Sequence, residues 1–209
     1  MKFENKISKK SNLIENDSLS IYNNWAAQQN WNAFEVFHNF LEKVKPKRII
    51  EIGTSLGGFT SFLNYTCKKL NLDCHILSYD IITHHWYDEM RKNGIDLRIE
   101  NIFYNNYTTT KKEVIDFIQK DGLTLILCDG GDKIKEFNLL SKYMKKGDFI
   151  MTHDYVETKE KFDNEIYLKI WNWHEVSESD LQKACEENGL ISYDKEIFDN
   201  VVWVCKIKK

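Results

Sequence analysis

The spacing of apolar residues changes from one segment of the chain to the next. In NAFEVFHNFLEKV, residues 32–44, Phe34, Phe37, Leu41 and Val44 recur three or four residues apart, which predicts one buried helix face. Pro46, the only proline, lacks a backbone donor and disfavours helix in the residue before it, so the helix stops and an extended path begins. RIIEIG (48–53) predicts a buried strand and FTSFLNYTCKKL (59–70) a helix. CHILSYDI (74–81) is a second strand, HWYDEMRKNG (85–94) a helix, DLRIENI (96–102) a third strand and TKKEVIDFIQKDG (110–122) a helix. LTLILCD (123–129) is apolar at nearly every position, as in a strand covered on both faces. DKIKEFNLLSKYMKKG (132–147) predicts a helix closing on Gly147, and DFIMTHD (148–154) a fifth strand. Ahead of all these, residues 12–30 read as polar and irregular.

Strands alternating with helices imply right-handed crossovers and a parallel sheet with helices on both sides. The last fifty or so residues depart from this rhythm. SESDLQKACEENG (177–189) predicts a helix capped by Ser177 or Ser179 and stopped by Gly189. LISYDKEIF (190–198) and NVVWVCKIK (200–208) predict two strands joined through Asp199 and Asn200, too short a link for a parallel crossover. The expected fold is therefore α/β and doubly wound, a mostly parallel seven-stranded sheet ending in an antiparallel hairpin. One domain is expected over residues 1–209, with 1–30 as an N-terminal extension or cap and 46–209 as the core.

A chain of 209 residues suffices for one well-cored domain. Its net charge of −3 lacks the basic surplus of a phosphate-driven nucleic-acid binder, so no nucleic-acid partner is expected. Lys2, Lys6, Lys9, Lys10 and the terminal KIKK read as solvated tails. No apolar run approaches the roughly 18 residues of a membrane span, and the N-terminus has no apolar h-region, so neither a membrane nor secretion is expected. The five cysteines contain no CxxC pair, which points to reduced thiols in the cytoplasm.

Three of the nine glycines, Gly53, Gly57 and Gly58, follow the first predicted strand directly. Ordered glycine costs backbone entropy, so such a cluster marks a positive φ or a close approach to bare backbone. A tight turn serving packing alone is one explanation; a ligand at the carboxyl edge of the sheet is the other. A phosphate-binding GxxxxGK[ST] loop fails because GTSLGGFT (53–60) has Phe59 where the lysine belongs. A dinucleotide GxGxxG loop is weakened by Ser55 at its second glycine.

What the residues spell is Glu-x-Gly-x-x-x-Gly-Gly, with Asp80 closing the second strand and Asp129 the fourth. This set resembles the class I S-adenosylmethionine-dependent methyltransferases over about residues 46–209. With HDY (153–155), it looks most like their small-molecule branch, which includes catechol-type, macrolide-sugar and cephalosporin-hydroxylase-like enzymes. The resemblance implies a Rossmann-like methyltransferase fold. It implies a cofactor loop of Glu51, Gly53, Thr54, Ser55, Gly57 and Gly58, with Asp80 on the ribose hydroxyls, Asn101 at the adenine edge and Asp129 at the methyl-transfer centre. A carboxylate accepts two hydroxyl hydrogen bonds at once, which suits Asp80 to that role.

Methyl transfer to a hydroxyl needs alignment and the management of one proton, either by a general base or by a metal that lowers the hydroxyl's pKa. His153 and Asp129 are the candidate catalytic residues. Metal-dependent members of the branch imply Asp129 and Asp154 as ligands of Mg²⁺ or another divalent cation. His153 departs from the carboxylate found in macrolide and cephalosporin relatives, and imidazole is a poorer magnesium ligand. The site is then either a softer metal centre or a metal-free one with His153 as base, unless His153 is only a satisfied hydrogen-bonding residue. Trp171, Trp173 and His174 are candidates to cover an acceptor or to pack, and Gln28 and Gln29 to fold over the cofactor. His84 and His85 read as a solvated loop, with lining the cofactor or substrate pocket as the alternative, and Lys133 as a surface helix residue, with reaching the acceptor as the alternative.

The reading is an S-adenosylmethionine-dependent methyltransferase O-methylating a small hydroxyl-bearing acceptor, sugar-like or phenolic, with a homo-oligomer as a further expectation from the branch. The alternatives are a metal-dependent cephalosporin-hydroxylase-like enzyme, a nicotinamide-dependent oxidoreductase, and a catalytically silent interaction module.

Overall fold

Alternation within the segment Thr124–Cys128 sets the layering of the molecule. Leu125 and Leu127 enter one apolar cluster, whereas Ile126 and Cys128 enter another. Successive strand residues face opposite sides, so a strand apolar at every position needs cover on both. The computed structural model describes residues 7–11, 18–22 and 25–209.

In chain order the strands are β1 (Ile7–Ser11), β2 (Ser18–Tyr22), β3 (Trp25–Ala26), β4 (Arg48–Ile52), β5 (His75–Asp80), β6 (Asp96–Ile99), β7 (Phe103–Tyr104), β8 (Thr109–Thr110), β9 (Thr124–Cys128), β10 (Phe149–Thr152), β11 (Leu190–Ser192) and β12 (Val204–Lys208). The helices are α1 (Ala33–Val44), α2 (Gly58–Lys69), α3 (Tyr87–Lys92), α4 (Lys112–Gln119), α5 (Lys133–Leu140), α6 (Lys159–Lys161), α7 (Glu178–Asn188) and α8 (Lys195–Asp199). A seven-stranded sheet runs β11-β12-β10-β9-β4-β5-β6. β12 alone runs opposite to the other six strands. This is the doubly wound, mostly parallel sheet the alternation predicts.

One face carries Phe34, Phe37 and Leu41 of α1, Phe62 of α2, Met90 of α3 and Phe198 of α8. The other carries Val114 and Phe117 of α4, Phe137 and Leu140 of α5 and Leu181 of α7. The switch from one layer of helices to the other falls at β4 and β9. The strand order reverses there, and folds of this type open a crevice at the carboxyl ends. Lys45 takes a left-handed φ of 49° and returns its N–H to the Leu41 carbonyl, ending α1 just before Pro46.

Three expectations are corrected. Residues 12–30 are not wholly irregular: β2 and β3 lie there and pair with β1 as an antiparallel meander. These strands are only two to five residues long and pair with each other and not with the main sheet, so little in the sequence marks them. The terminal strands do pair antiparallel, but not as a two-residue hairpin. β11 stops at Ser192, Asp194 adopts φ 45°, and Lys195–Asp199 form α8, which buries Phe198 against α1. The apolar residues of KEIF thus serve a helix face. Finally, the terminal KIKK is no solvated tail: Lys206 is buried, with Nζ 2.5 Å from Glu178 Oε1 and 3.0 Å from Ser192 Oγ. Lys9 and Lys10 fall in β1, while Lys2 and Lys6 lie outside the described residues. Among the described residues no helix is long and apolar enough to cross a membrane.

Candidate active site

The loop after β4 is shaped first by its own chain. Gly53 has φ 96°, and a Cβ there would stand 2.1 Å from the Asp129 carbonyl oxygen. A Cβ at Gly58 would stand 2.4 Å from the carbonyl oxygen of Trp25. Both glycines therefore admit close backbone neighbours, β9's end in one case and β3 in the other. Gly57 caps the N-terminus of α2. Ser55 has φ 48°; its N–H donates to Asp80 Oδ2 at 2.6 Å and its hydroxyl to Gln28 Oε1. The second carboxylate oxygen of Asp80 accepts the Ile82 N–H at 2.9 Å. Asp80 thus ties the loop to the end of β5, and each oxygen keeps a further lone pair for another donor.

Behind the loop, Glu51 is 2% exposed. Its Oε2 accepts the Ser78 hydroxyl at 2.5 Å and the Thr60 hydroxyl at 2.6 Å, while Thr54 Oγ1 lies 2.6 Å from Ser78 Oγ. Burial pushes the Glu51 carboxyl up to about 7 against the lowering effect of those hydroxyls.

β9 and β10 are adjacent and parallel, so Asp129, His153 and Asp154 emerge side by side. His153 Nδ1 lies 3.1 Å from Asp129 Oδ1 and 3.8 Å from Asp154 Oδ1. A carboxylate only accepts, so the proton between them belongs to Nδ1. The His153 ring stacks on Trp203 at 4.8 Å, and its Nε2 is buried without a hydrogen-bond partner among the described residues. Gln29 Nε2 donates to Asp129 Oδ2 at 3.0 Å, and Gln29 Oε1 accepts the Trp203 indole N–H at 2.8 Å.

Asp154 turns the chain with φ 54°, and its carbonyl accepts the N–H groups of Glu175 and Val176. That return brings Trp171 and Glu175 back over the site. Trp171 Nε1 donates to Asp154 Oδ1 at 2.6 Å. Lys133, at the first turn of α5, is only 7% exposed. Its Nζ stands 2.8 Å from Glu175 Oε2, 3.1 Å from Asp154 Oδ2, 3.4 Å from the Gly130 carbonyl and 3.8 Å from Asp129 Oδ1. The expectation of a surface lysine is thus corrected; the first turn of α5 faces the crevice. Burial lowers the Lys133 pKa, but the charges of Asp129 and Asp154 outweigh it and raise it. For His153 burial likewise lowers, and Asp129 and Asp154 prevail and raise. Burial raises the Asp154 pKa, but His153 and Lys133 hold it below the usual carboxylate value.

A cavity of about 330 Å³ joins these groups. Its walls include Glu51, Gly53–Ser55, Asp129, Lys133, His153 and Trp173. A smaller one of about 130 Å³ shares Gly53 and runs past Asp80, Asn101, Ile102, Phe103 and Gly130. Asn101 Oδ1 accepts the Phe103 N–H at 2.9 Å, holding its own loop. His84 and His85 lie outside both cavities, packed on Trp86. His174 stacks on Phe162 at 5.1 Å and reaches Ser177, away from the acceptor space.

The sequence profile of one family, the FtsJ-like methyltransferases, matches residues 31–177, more than two-thirds of the chain. The chain belongs to that family. Its fold is that of the class I S-adenosylmethionine-dependent methyltransferases. No curated protein sequence matches it. Among solved structures, the apo-structure of CmcI, a cephalosporin hydroxylase, superposes with a TM-score of 0.65 at 13% identity, covering 95% of this chain and 80% of that one. A CmcI structure with Mg-SAM gives 0.60 at 15% identity, covering 94% and 81%. A putative caffeoyl-CoA O-methyltransferase from Staphylococcus aureus gives 0.53 at 12% identity, covering 85% and 83%. At such identities the likeness concerns the fold.

In this family member the two implied groups fit differently. The two cavities, which share Gly53 in their walls, offer S-adenosylmethionine an apolar slot beside Asp80 and a polar end beside Asp129. A divalent cation fits poorly. Asp129, His153 and Asp154 do offer atoms within 4.8 Å of one another. Yet the four carboxylate oxygens already face Nδ1 of His153, Gln29, Trp171 and Lys133. Repulsion is about 4 kcal/mol for unit charges about 4 Å apart at an effective dielectric of about 20, and doubles for a divalent ion beside the lysine.

Sequence reasoning passed over Trp203, Glu175 and Glu136. Trp203 sits in an apolar run and Glu175 in an unpatterned loop, so neither carried a signal. Glu136 carried a weak one, an acidic residue in the first turn of α5. Its carboxylate, pushed up to about 7 by burial, accepts the Gly130 N–H at 3.1 Å and shapes the turn after Asp129.

Proposed function

We propose that this chain transfers the methyl group of S-adenosylmethionine to a hydroxyl of a small acceptor, sugar-like or phenolic. The observation that carries the reading is the shared cavity, in which the Gly53–Ser55 loop and the Asp129–His153 pair line the same space. The loop, Asp80 and Asn101 bind and orient the cofactor, with Ile102 and Phe103 beside the adenine. When bound, S-adenosylmethionine supplies an activated methyl group, whose C–S bond breaks as the acceptor O–C bond forms. His153 takes the hydroxyl proton on Nε2, while Asp129 fixes the tautomer through Nδ1 and stabilises the imidazolium. Lys133 offers a fixed positive charge to the acceptor oxyanion. Trp173, 59% exposed at the mouth, provides a face for a planar or sugar acceptor. The acidic walls favour a neutral small acceptor over a polyanion.

Calorimetry with S-adenosylmethionine, S-adenosylhomocysteine and NADH tests the cofactor, and transfer of a labelled methyl group to a panel of phenols and sugars tests the acceptor. Micromolar binding of the first two with none of NADH supports the reading. Binding of NADH alone replaces it with an oxidoreductase, and binding of none withdraws the enzyme.

A further inference from the structure

The carboxylates at the ends of β9 and β10 are arranged around a lysine. Three carboxylates, Glu175 at 2.8 Å, Asp154 at 3.1 Å and Asp129 at 3.8 Å, surround one Nζ, and an ammonium carries three donors. The lysine is held there by its helix. Asp132 caps α5 by accepting the Lys135 N–H at 3.2 Å, and Glu136 grips the turn from Gly130 to Asp132, so the first turn cannot swing outward without losing these bonds. Asp129 Oδ1 also faces His153 Nδ1, and the second oxygens of Asp129 and Asp154 face Gln29 and Trp171. Magnesium demands near-octahedral oxygen ligation and keeps several waters. Here it would have to expel an ammonium and break the His153 bond.

We infer that Lys133 is the resident cation of this site: its ammonium occupies the place a divalent ion would take between Asp129 and Asp154, and the site binds no metal. The acceptor oxygen then meets one fixed positive charge, present without any ion in solution. Glu175, at the mouth, completes the lysine's coordination and belongs to the same unit. Deprotonation of the acceptor falls to the Asp129–His153 pair, because no metal-bound hydroxyl is available to share it.

The test uses Mn²⁺ as probe, its free signal followed by electron paramagnetic resonance with the full chain and neither cofactor nor acceptor present. It therefore stands or falls independently of the methyl-transfer reading. Wild-type protein is expected to bind no Mn²⁺ at this site. Lys133→Met keeps the stem and removes the charge, leaving carboxylates and an imidazole that suit manganese. It is expected to bind Mn²⁺ at least about tenfold more tightly, whereas Lys133→Arg continues to exclude it. A wild-type site saturating at micromolar Mn²⁺, or a folded Lys133→Met no tighter than wild type, overturns the inference. If Lys133→Met does not fold, nitrogen-15 spectra of the wild-type lysine ammonium decide. An unchanged Lys133 signal in excess Mg²⁺ supports the inference, and its displacement overturns it.

Discussion

Asp129 Oδ1 accepts the Nδ1–H of His153 at 3.1 Å across the ends of two neighbouring parallel strands. The neutral ring is the form that can take a proton. Burial lowers the His153 pKa and the nearby Lys133 adds to that, but Asp129 and Asp154 prevail and raise it. The rate of methyl transfer should therefore rise with pH through a value above the ordinary histidine pKa of about 6.5. Asp129→Asn removes the main raising charge, so the limb of the pH–rate profile should move to lower pH while the plateau falls. His153→Ala should lower turnover by about 10²–10⁴-fold and leave the S-adenosylhomocysteine dissociation constant unchanged. Normal turnover in that variant would end the assignment of a base.

Asp80 should matter to binding and not to chemistry. Its carboxylate holds the Ser55 N–H at 2.6 Å and retains lone pairs for the ribose. A hydrogen bond to a charged group contributes about 1.5–3 kcal/mol, so Asp80→Ala should weaken S-adenosylhomocysteine binding by roughly ten- to a hundredfold. Calorimetry at one pH and salt concentration measures this, and an unchanged affinity removes Asp80 from the cofactor site.

Glu51 links stability to pH. Burial raises its folded pKa from 4.5 to about 7, so the folded state holds the proton more tightly than the unfolded chain. Stability from this group is full below the unfolded value and declines as pH rises through about 7, by roughly 3 kcal/mol in all. Glu51→Gln keeps the shape without the charge. In urea titrations at pH 5 and pH 8 the wild type should lose more stability between the two than Glu51→Gln does. Parallel losses would place the titrating group elsewhere.

Gly58→Ala should detach the N-terminal meander from α2. The added Cβ would lie 2.4 Å from the Trp25 carbonyl oxygen and 2.7 Å from the Ala26 carbonyl carbon. Backbone cannot yield as a flexible side chain would, and overpacking costs about 1–3 kcal/mol. A lower thermal midpoint together with faster proteolysis near Trp25 is the expected result. A midpoint equal to that of wild type would show that β3 moves freely.

Much of the scaffold was legible because period and punctuation are local. The all-apolar run of β9 announced cover on both faces, Pro46 marked the end of α1, and Ser177 with Gly189 bounded α7 through its capping box and a left-handed turn. The short α8 was not legible, since Ile197 and Phe198 suit a strand as readily as a helix and only packing on α1 chooses. The meander of β1 to β3 was less legible because its strands are only two to five residues long and only β2, with Leu19 and Ile21 flanking Ser20, alternates.

For the candidate site, the sequence alone determined which chemistry could stand at the strand ends. The glycine loop, Asp80, Asp129, His153 and Asp154 follow from residue type and from position after a predicted strand, both properties of one segment at a time. Tertiary structure decided the partners. Gln29 meets Asp129 a hundred residues away, Trp203 stacks on His153, and Lys133 turns inward to Glu175 and Asp154. Such pairings depend on where separate segments arrive in space, and no local pattern of hydrophobic and polar residues encodes a distance between them.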